Sequence, residues 1–308
     1  MAFTGLMVKS KFDEADIQAI KALEAIVNAA DNIKVKFNWS MMHQRQPEAG
    51  SDFCYYVEGR LVGYMPLDGF GETYEITAGV LPEYRRRGIF RQMYEAAQKQ
   101  SGQLKATKLL IVNYRESQSG VAALKAMQIP YDFSEYHMAT EDPTLPALMT
   151  KRLQLQAVEE GDLAKYAEML TINFGKSDFN SQEKLRESLS RPEEPYFLAI
   201  LNDLKEDDTE KNEDNDEKVG KEVKVIGHIG AMIGEESVYI RSVGILPEWR
   251  QKGYGRELLA ATVHKLSAEG HKRFELDVAT SNAGALTLYE SCGFTVANVY
   301  DYHLVPLD

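Results

Sequence analysis

The residues with the clearest chemical meaning are Pro247-Glu248-Trp249-Arg250-Gln251-Lys252-Gly253-Tyr254-Gly255-Arg256, flanked by the apolar run Val243-Gly244-Ile245-Leu246 and by Glu257-Leu258-Leu259-Ala260-Ala261-Thr262-Val263. Apolar run, glycine turn and amphipathic run read as strand, tight turn and first helical turn. Such a junction aims unpaired backbone N–H groups and a positive helix end at one point. It is an anion site, most naturally for a phosphate. Gly253 and Gly255, lacking a Cβ, let a ligand approach the main chain closely. Further along, Tyr289 stands seven residues after Asn282, close to two helical turns, so both share a face.

The loop has a second copy. Tyr74 through Phe90 align without a gap on Tyr239 through Gly255, at a spacing of 165 residues, with Tyr, Gly, Leu-Pro-Glu, Arg and Gly identical. The similarity extends from Val62-Gly63 against Ile226-Gly227 to Tyr136-His137-Met138 against Tyr302-His303-Leu304. The chain is two versions of one domain, expected at 1–146 and 147–308, with Thr140-Glu141-Asp142-Pro143-Thr144-Leu145-Pro146 as the join.

At 308 residues and 44% hydrophobic, the chain can fill two cores. No run of eighteen apolar residues is present and the N-terminus meets charge at Lys9, so a cytoplasmic protein with no membrane partner is expected. Cys54 and Cys292 fall in different repeats, which suggests neither a disulfide framework nor a metal site. A net charge of -12 argues against nucleic acid as a partner. Half of it lies between Asp203 and Glu222, where ten acidic residues meet four Lys and no aromatic, so this stretch reads as a flexible acidic loop.

Each repeat opens with a short strand and an amphipathic helix, Asp16 to Ala29 or Asp162 to Ile172; Asn180 with Glu183 resembles a capping box before Lys184 to Leu189. A hairpin turning at Glu58-Gly59-Arg60 follows in the first repeat, then the strand into the glycine loop, its helix, a buried strand (Lys108 to Val112 or Arg273 to Val278), a helix and a last strand. This is an α+β layout, a mixed and mostly antiparallel sheet flanked by helices.

The order of hairpin, strand, R/Q-x-x-G-x-G loop and helix, then Asn282-Ala283-Gly284-Ala285-Leu286-Thr287-Leu288-Tyr289-Glu290-Ser291-Cys292-Gly293-Phe294, resembles the GNAT superfamily of N-acetyltransferases in its tandem form. The resemblance implies acetyl-CoA as co-substrate, a small-molecule or peptide amine as acceptor, no metal, and a monomer or homodimer. It implies that Arg250, Gln251, Lys252, Gly253, Tyr254, Gly255 and Arg256 wrap the coenzyme pyrophosphate and that Val243, Gly244 and Ile245 bond the pantetheine arm and polarise the thioester carbonyl. Tyr289 would protonate the departing thiolate and Asp277 would serve as base. Other readings stay open at three positions: Asn282 as an N-cap, Tyr289 as a core aromatic, Asp277 as a solvated strand residue beside Glu275. His228 and His303 are further candidate bases.

The copies differ where chemistry would occur. The first keeps Arg85 and Gly88 but has Phe90 at the position of Gly255, a ring expected to crowd a phosphate. It offers Ala126 or Met127 opposite Tyr289, and Val112 or Asn113 opposite Asp277. Catalysis is therefore expected in the C-terminal repeat, with a degenerate N-terminal partner; Glu75, a carboxylate on the strand entering the first loop, speaks against it.

Overall fold

The computed structural model describes residues 2–42, 52–141, 152–177, 180–202 and 224–307. The acidic stretch 203–222 and most of the expected join lie outside the described residues. The strands are β1 Gly5–Lys9, β2 Asp52–Val57, β3 Arg60–Met65, β4 Leu67–Phe70, β5 Thr73–Ile76, β6 Gly79–Val80, β7 Lys108–Tyr114, β8 Phe133–Thr140, β9 Leu153–Ala157, β10 Tyr196–Leu201, β11 Val225–Ile233, β12 Val238–Ile245, β13 Phe274–Ala279 and β14 Thr295–Pro306. The helices are α1 Glu14–Asp31, α2 Trp39–Met42, α3 Ile89–Gln103, α4 Gln118–Ala126, α5 Leu163–Phe174, α6 Gln182–Leu189, α7 Tyr254–Ala268 and α8 Ala283–Ser291.

The chain forms two compact units, Met1–His137 with Ala297–Asp308, and Met138–Val296. A single cut after Pro146 does not describe this division. The cause is β14, whose residues Tyr300 to Pro306 pair antiparallel with β7 from Tyr114 to Lys108. A strand belongs to the sheet that takes its hydrogen bonds, and nothing local in its sequence names that partner.

Unit 1 contains one sheet in the order β1-β2-β3-β6 and a second run β4-β5-β7-β14-β8. Reciprocal hydrogen bonds between Asp13 and Asp16 start α1, and left-handed Asn32 (φ 52) stops it. Its Ile20, Leu23 and Val27 form one buried stripe, packed in the same core as Phe53, Val62, Ile89, Met93 and Ile111. Burying those three side chains contributes about 5–8 kcal/mol before entropy is charged against it. The β2–β3 hairpin turns at Glu58 (φ 50) and Gly59 (φ 81), the left-handed pair that a two-residue turn requires.

Unit 2 carries the strand order β9-β10-β11-β12-β13. Leu163, Tyr166, Met169 and Leu170 of α5 pack on Leu185, Tyr196 and Leu198. The N-cap of α6 is Ser181, whose Oγ accepts from Lys184 N at 3.3 Å; Asn180, the expected cap, instead donates to Gly175 O at 2.9 Å.

One charged cluster lies inside this unit. Glu194, 4% exposed, accepts from Arg191 Nε at 2.6 Å and Arg241 Nη2 at 2.5 Å, and Ser188 also donates to it. Burial alone would raise this carboxyl; the bonds from Arg191 and Ser188 and the charge of Arg241 more than offset it, holding the group down at about 2. A carboxyl depressed on folding stabilises the native state above its unfolded value, ~4.3, and loses that contribution as pH falls toward 2. Glu194→Gln strands two guanidinium groups, so urea titration at pH 7 is expected to show a loss of about 3 kcal/mol that vanishes near pH 2.

Candidate active site

After β12 the main chain of unit 2 turns through Pro247–Trp249, extends at Arg250 (φ -68, ψ 162), and begins α7 from Gly253 (φ 84) with no side-chain cap. Gln251 is left-handed at φ 61. Unit 1 repeats the path at Arg85 (φ -66, ψ 160), Arg86 (φ 60) and Gly88 (φ 78), also with no side-chain cap on its helix. Each loop therefore leaves first-turn N–H groups to a ligand.

Three basic side chains of the two loops brace them. Arg250 Nε donates to Ile245 O at 2.9 Å and Nη2 to Asn173 Oδ1 at 2.7 Å. In unit 1, Arg85 Nε donates to Val80 O at 3.0 Å and its Nη atoms hold Asp31 at 2.7 and 3.1 Å. Lys252 Nζ returns to Glu248 O at 3.1 Å. Main chain and helix end are thereby left to an anion, beside the exposed side chains of Gln251 and Arg256.

The two glycines have different reasons. Gly253 is needed for its left-handed φ of +84°, whereas a Cβ at Gly255 would meet Leu288 Cδ1 of α8 at 3.1 Å. Gly255 admits a neighbouring helix, a use that the sequence pattern alone assigns to ligand approach. Phe90, the residue at that position in unit 1, is partly buried and stacks on Tyr94 at 6.3 Å between centroids.

Beside the loop of unit 2, two parallel strands separate. β12 pairs with β13 at Val238↔Phe274 and Tyr239↔Glu275. It then bulges at left-handed Ser242 (φ 54) and returns to β11 at Gly244↔His228 and Ile245↔Gly227. The edge of Val243, Gly244 and Ile245 that faces β13 is thereby left outside the ladder. Asp277 stands two residues past the last β12–β13 pair, within the widening gap and half-buried. Glu275 is engaged: it accepts from Arg273 Nε at 2.7 Å and Ser237 Oγ at 3.0 Å.

His228 is fully buried, 2.9 Å from Asn173 Nδ2 and ringed by Tyr166 and Phe174. Burial pushes its imidazole down to about 4, so it is neutral at pH 7 and a weak base. Its ring blocks a Cβ at Gly244, which would lie 2.5 Å from Nε2. His303 belongs to unit 1, where it pairs with Ile111 and meets Tyr131 edge-on at 6.1 Å. It is therefore in the other unit from Tyr289.

Asn282 is exposed and caps α8, its Oδ1 accepting from Ala285 N at 3.1 Å. Tyr289 follows on that helix, 8% exposed, with its ring 6.3 Å from Phe294. Burial raises its hydroxyl to about 12, and no hydrogen bond from the described residues tempers it. In unit 1 Ser117 caps α4 by accepting from Gly120 N at 3.1 Å. The two caps lie 165 positions apart, as the loops do, which sets Leu124 opposite Tyr289 and Val112 opposite Asp277. The first of these replaces the expected Ala126 or Met127; helix caps fix the register that side-chain identity could not.

A cavity of about 880 Å³ opens in unit 1, walled by residues that include Thr77, Ala78, Arg86, Gly88, Asn113 and Leu124. Here β5 and β7 pair as far as Ile76↔Ile111, and β6 then turns to pair with β3. The volume suits a ligand of coenzyme size.

Three residues of the unit 2 site carried no signal in the sequence. Arg152 lays its guanidinium 4.5 Å over the Tyr254 ring, donates to Lys252 O at 3.3 Å, and pairs with Glu257 at 3.0 Å. Glu257, 5% exposed, also accepts from the N–H groups of Arg152 and Leu153 at 2.8 and 3.0 Å. Asn173 joins Arg250 to His228. A helix charge and a linker arginine look solvated until their partner, about a hundred positions away, is known.

Comparison with known proteins places this arrangement. The model of the acetyltransferase (GNAT) family matches residues 21–124 and 173–294, most of the chain, and the chain belongs to that family. Over its whole length it shares its fold with a GCN5-related N-acetyltransferase from Sphaerobacter thermophilus (TM-score 0.76, 17% identity, covering 100% of this chain and 97% of that one). A tandem GNAT protein from the clavulanic acid biosynthesis pathway is similar too (TM-score 0.69, 16% identity, 99% of each chain). Among curated proteins, the [ribosomal protein bS18]-alanine N-acetyltransferase of Escherichia coli strain K12 is 36% identical over 58 residues, 19% of this chain and 39% of that protein. The chain thus spans about two fifths of the length of the curated relatives it matches. No described helix is long and apolar enough to cross a membrane.

Proposed function

We propose that this protein transfers an acetyl group from acetyl-CoA to a primary amine by direct attack, and that unit 2 performs the chemistry. The observation that carries this reading is the conjunction, in one unit, of an uncapped helix start at Gly253, a strand edge at Val243 to Ile245 freed by the Ser242 bulge, and the buried Tyr289. The loop main chain would hold the coenzyme diphosphate. A strand N–H would stabilise the oxyanion as the amine attacks the thioester carbon. The C–S bond then breaks and the thiolate takes the phenolic proton.

Two details refine the roles. With its hydroxyl near 12, Tyr289 is fully protonated at working pH, but transfer to a thiolate of pKa ~8.5 is uphill by roughly 5 kcal/mol. The nitrogen, positively charged after attack, lowers that cost where it stands close enough to stabilise phenolate. Asp277 is proposed to relay the amine's proton. Cys292 is fully buried with its thiol pushed up by burial, and Cys54 is buried with its thiol at about 12, which favours direct transfer over an acyl-cysteine.

Acceptors of either a small-molecule or a peptide kind fit this reading, and the net charge of -12 favours a cationic one. The cavity of unit 1, with Leu124 in place of the phenol, supports a second role there: coenzyme binding without transfer. Free-thiol release from acetyl-CoA over a panel of polyamines, amino sugars and peptide N-termini tests the proposal. At least one amine is expected to stimulate release; binding of acetyl-CoA with no release for any amine assigns the chain to recognition instead.

A further inference from the structure

Arg241 is the last residue of β12 to pair in regular register before the strand bulges. It stands opposite Gly230 of β11; by Gly244, which faces His228, β12 has gained one residue on its neighbour. The extra residue is absorbed at Ser242, whose φ of 54 is one that residues with a Cβ rarely adopt. Such a conformation persists only where the surrounding structure over-determines it.

Upstream, the Arg241 side chain supplies that constraint. Its Nη2 donates to Glu194 at 2.5 Å, to Tyr196 Oη at 2.6 Å and to Ser188 Oγ at 3.3 Å, and its Nη1 to Met232 Sδ at 3.2 Å. The guanidinium carbon also lies 5.0 Å from the Tyr196 ring centroid. The acidic segment is itself tied along β11, where Ala231 N donates to Pro195 O at 2.9 Å and Ile233 N to Glu193 O at 2.7 Å. Gly230 leaves room for the assembly: a Cβ there would lie 2.9 Å from the Tyr196 ring and 3.3 Å from Arg241 Cγ. Downstream, Arg250 Nε holds Ile245 O at 2.9 Å. The bulged segment is thus pinned by an arginine at each end.

Unit 1 keeps one of these pins. The spacing of 165 sets Arg85 opposite Arg250, and Arg85 Nε holds Val80 O at 3.0 Å. The same spacing sets Ile76 opposite Arg241 and Thr77 opposite Ser242, and Thr77 is not left-handed. The upstream arginine and the left-handed residue therefore occur together, in the unit that carries Tyr289.

We propose that Arg241 is a positioning residue for acetyl transfer: anchored on Glu194, Tyr196 and Ser188, it fixes the Ser242 bulge and with it the direction in which the Val243 to Ile245 edge offers its N–H to the thioester oxygen. This rests on the reading of unit 2 as the transferring unit. A slightly displaced strand leaves the glycine loop free to grip the diphosphate, yet stabilises the oxyanion poorly, because that bond must be made where charge develops in the transition state. Loss of Arg241 is expected in the rate of transfer rather than in coenzyme affinity.

The experiment compares the protein with Arg241→Met, Tyr196→Phe and Leu266→Ala, using acetyl-CoA and the amine of the panel above that gives most thiol release. Two quantities are read: the maximal single-turnover rate on limiting amine, and the acetyl-CoA concentration that gives half of it. Arg241→Met is expected to lower the rate about tenfold to a hundredfold while the half-saturating concentration changes less than about threefold. Tyr196→Phe keeps the ring and removes one acceptor, so it should show the same split at about threefold to tenfold. Leu266, 1% exposed near the far end of α7 from Gly253, controls for lost stability: its variant should lower the melting temperature and leave the rate unchanged. The proposal is overturned, with transfer by unit 2 intact, if Arg241→Met keeps its rate within twofold, if rate and affinity fall together, or if Leu266→Ala loses as much rate as Arg241→Met. Should melting curves show Arg241→Met unfolded, Tyr196→Phe decides by the same criteria. If the unsubstituted protein acetylates no amine of the panel, the role of unit 2 fails and the proposal with it.

Discussion

Tyr289→Phe is expected to lower kcat by 10²- to 10⁴-fold while acetyl-CoA binding changes less than threefold. The ring stays, so its packing against Phe294 and the α8 helix are retained; only the proton donor is removed. The pH profile supplies a second check. With the phenol at about 12, kcat/KM should climb with the acceptor's deprotonation and show no fall attributable to Tyr289 between pH 8 and 10. In the variant the climb should persist at reduced height. If Tyr289→Phe keeps full turnover on an amine the protein acetylates, the thiolate is protonated by something else and Tyr289 is a core aromatic.

The glycine loop was legible because the left-handed N-cap of its helix favours glycine and a helix start leaves unpaired donors, both local rules. The duplication carried that reading into unit 1, where φ at Arg86 and Gly88 matches Gln251 and Gly253 within a few degrees. Direction of side chains was not legible. Arg250 reads as a phosphate ligand, yet Asn173 and Ile245 O claim it, and no spacing rule connects residues 77 positions apart. The same limit hid β14: its alternation marks a strand but not that β7 is its partner. The residue opposite Tyr289 was set at Ala126 or Met127 rather than Leu124 for a subtler reason. Matching sequences around Tyr289 gives weak register in a helix of small residues, whereas the Ser117 and Asn282 caps fix it through a backbone hydrogen bond each.

Substitution at Gly253 separates main-chain grip from side-chain charge. Valine at φ 84 meets the left-handed penalty, about 1–2 kcal/mol for any L-residue and more for a β-branched one, and its Cβ also comes within 3.4 Å of Arg152 Nη2. The loop must shift, turning the first N–H groups of α7 away from the diphosphate. Gly253→Val is expected to abolish measurable transfer, and Gly253→Ala to reduce kcat/KM by about ten- to a hundredfold through weaker coenzyme binding. Lys252→Ala, by contrast, removes a charge that already folds back to Glu248 O and should cost less than threefold. The matched change in unit 1, Gly88→Val, breaks the same geometry at φ 78 in a unit where Leu124 replaces the phenol, so it should spare transfer by unit 2. Thiol-release kinetics on the four variants, with melting temperatures alongside, read this directly. Equal loss from Gly88→Val and Gly253→Val, with both proteins folded, would move the chemistry out of unit 2 alone.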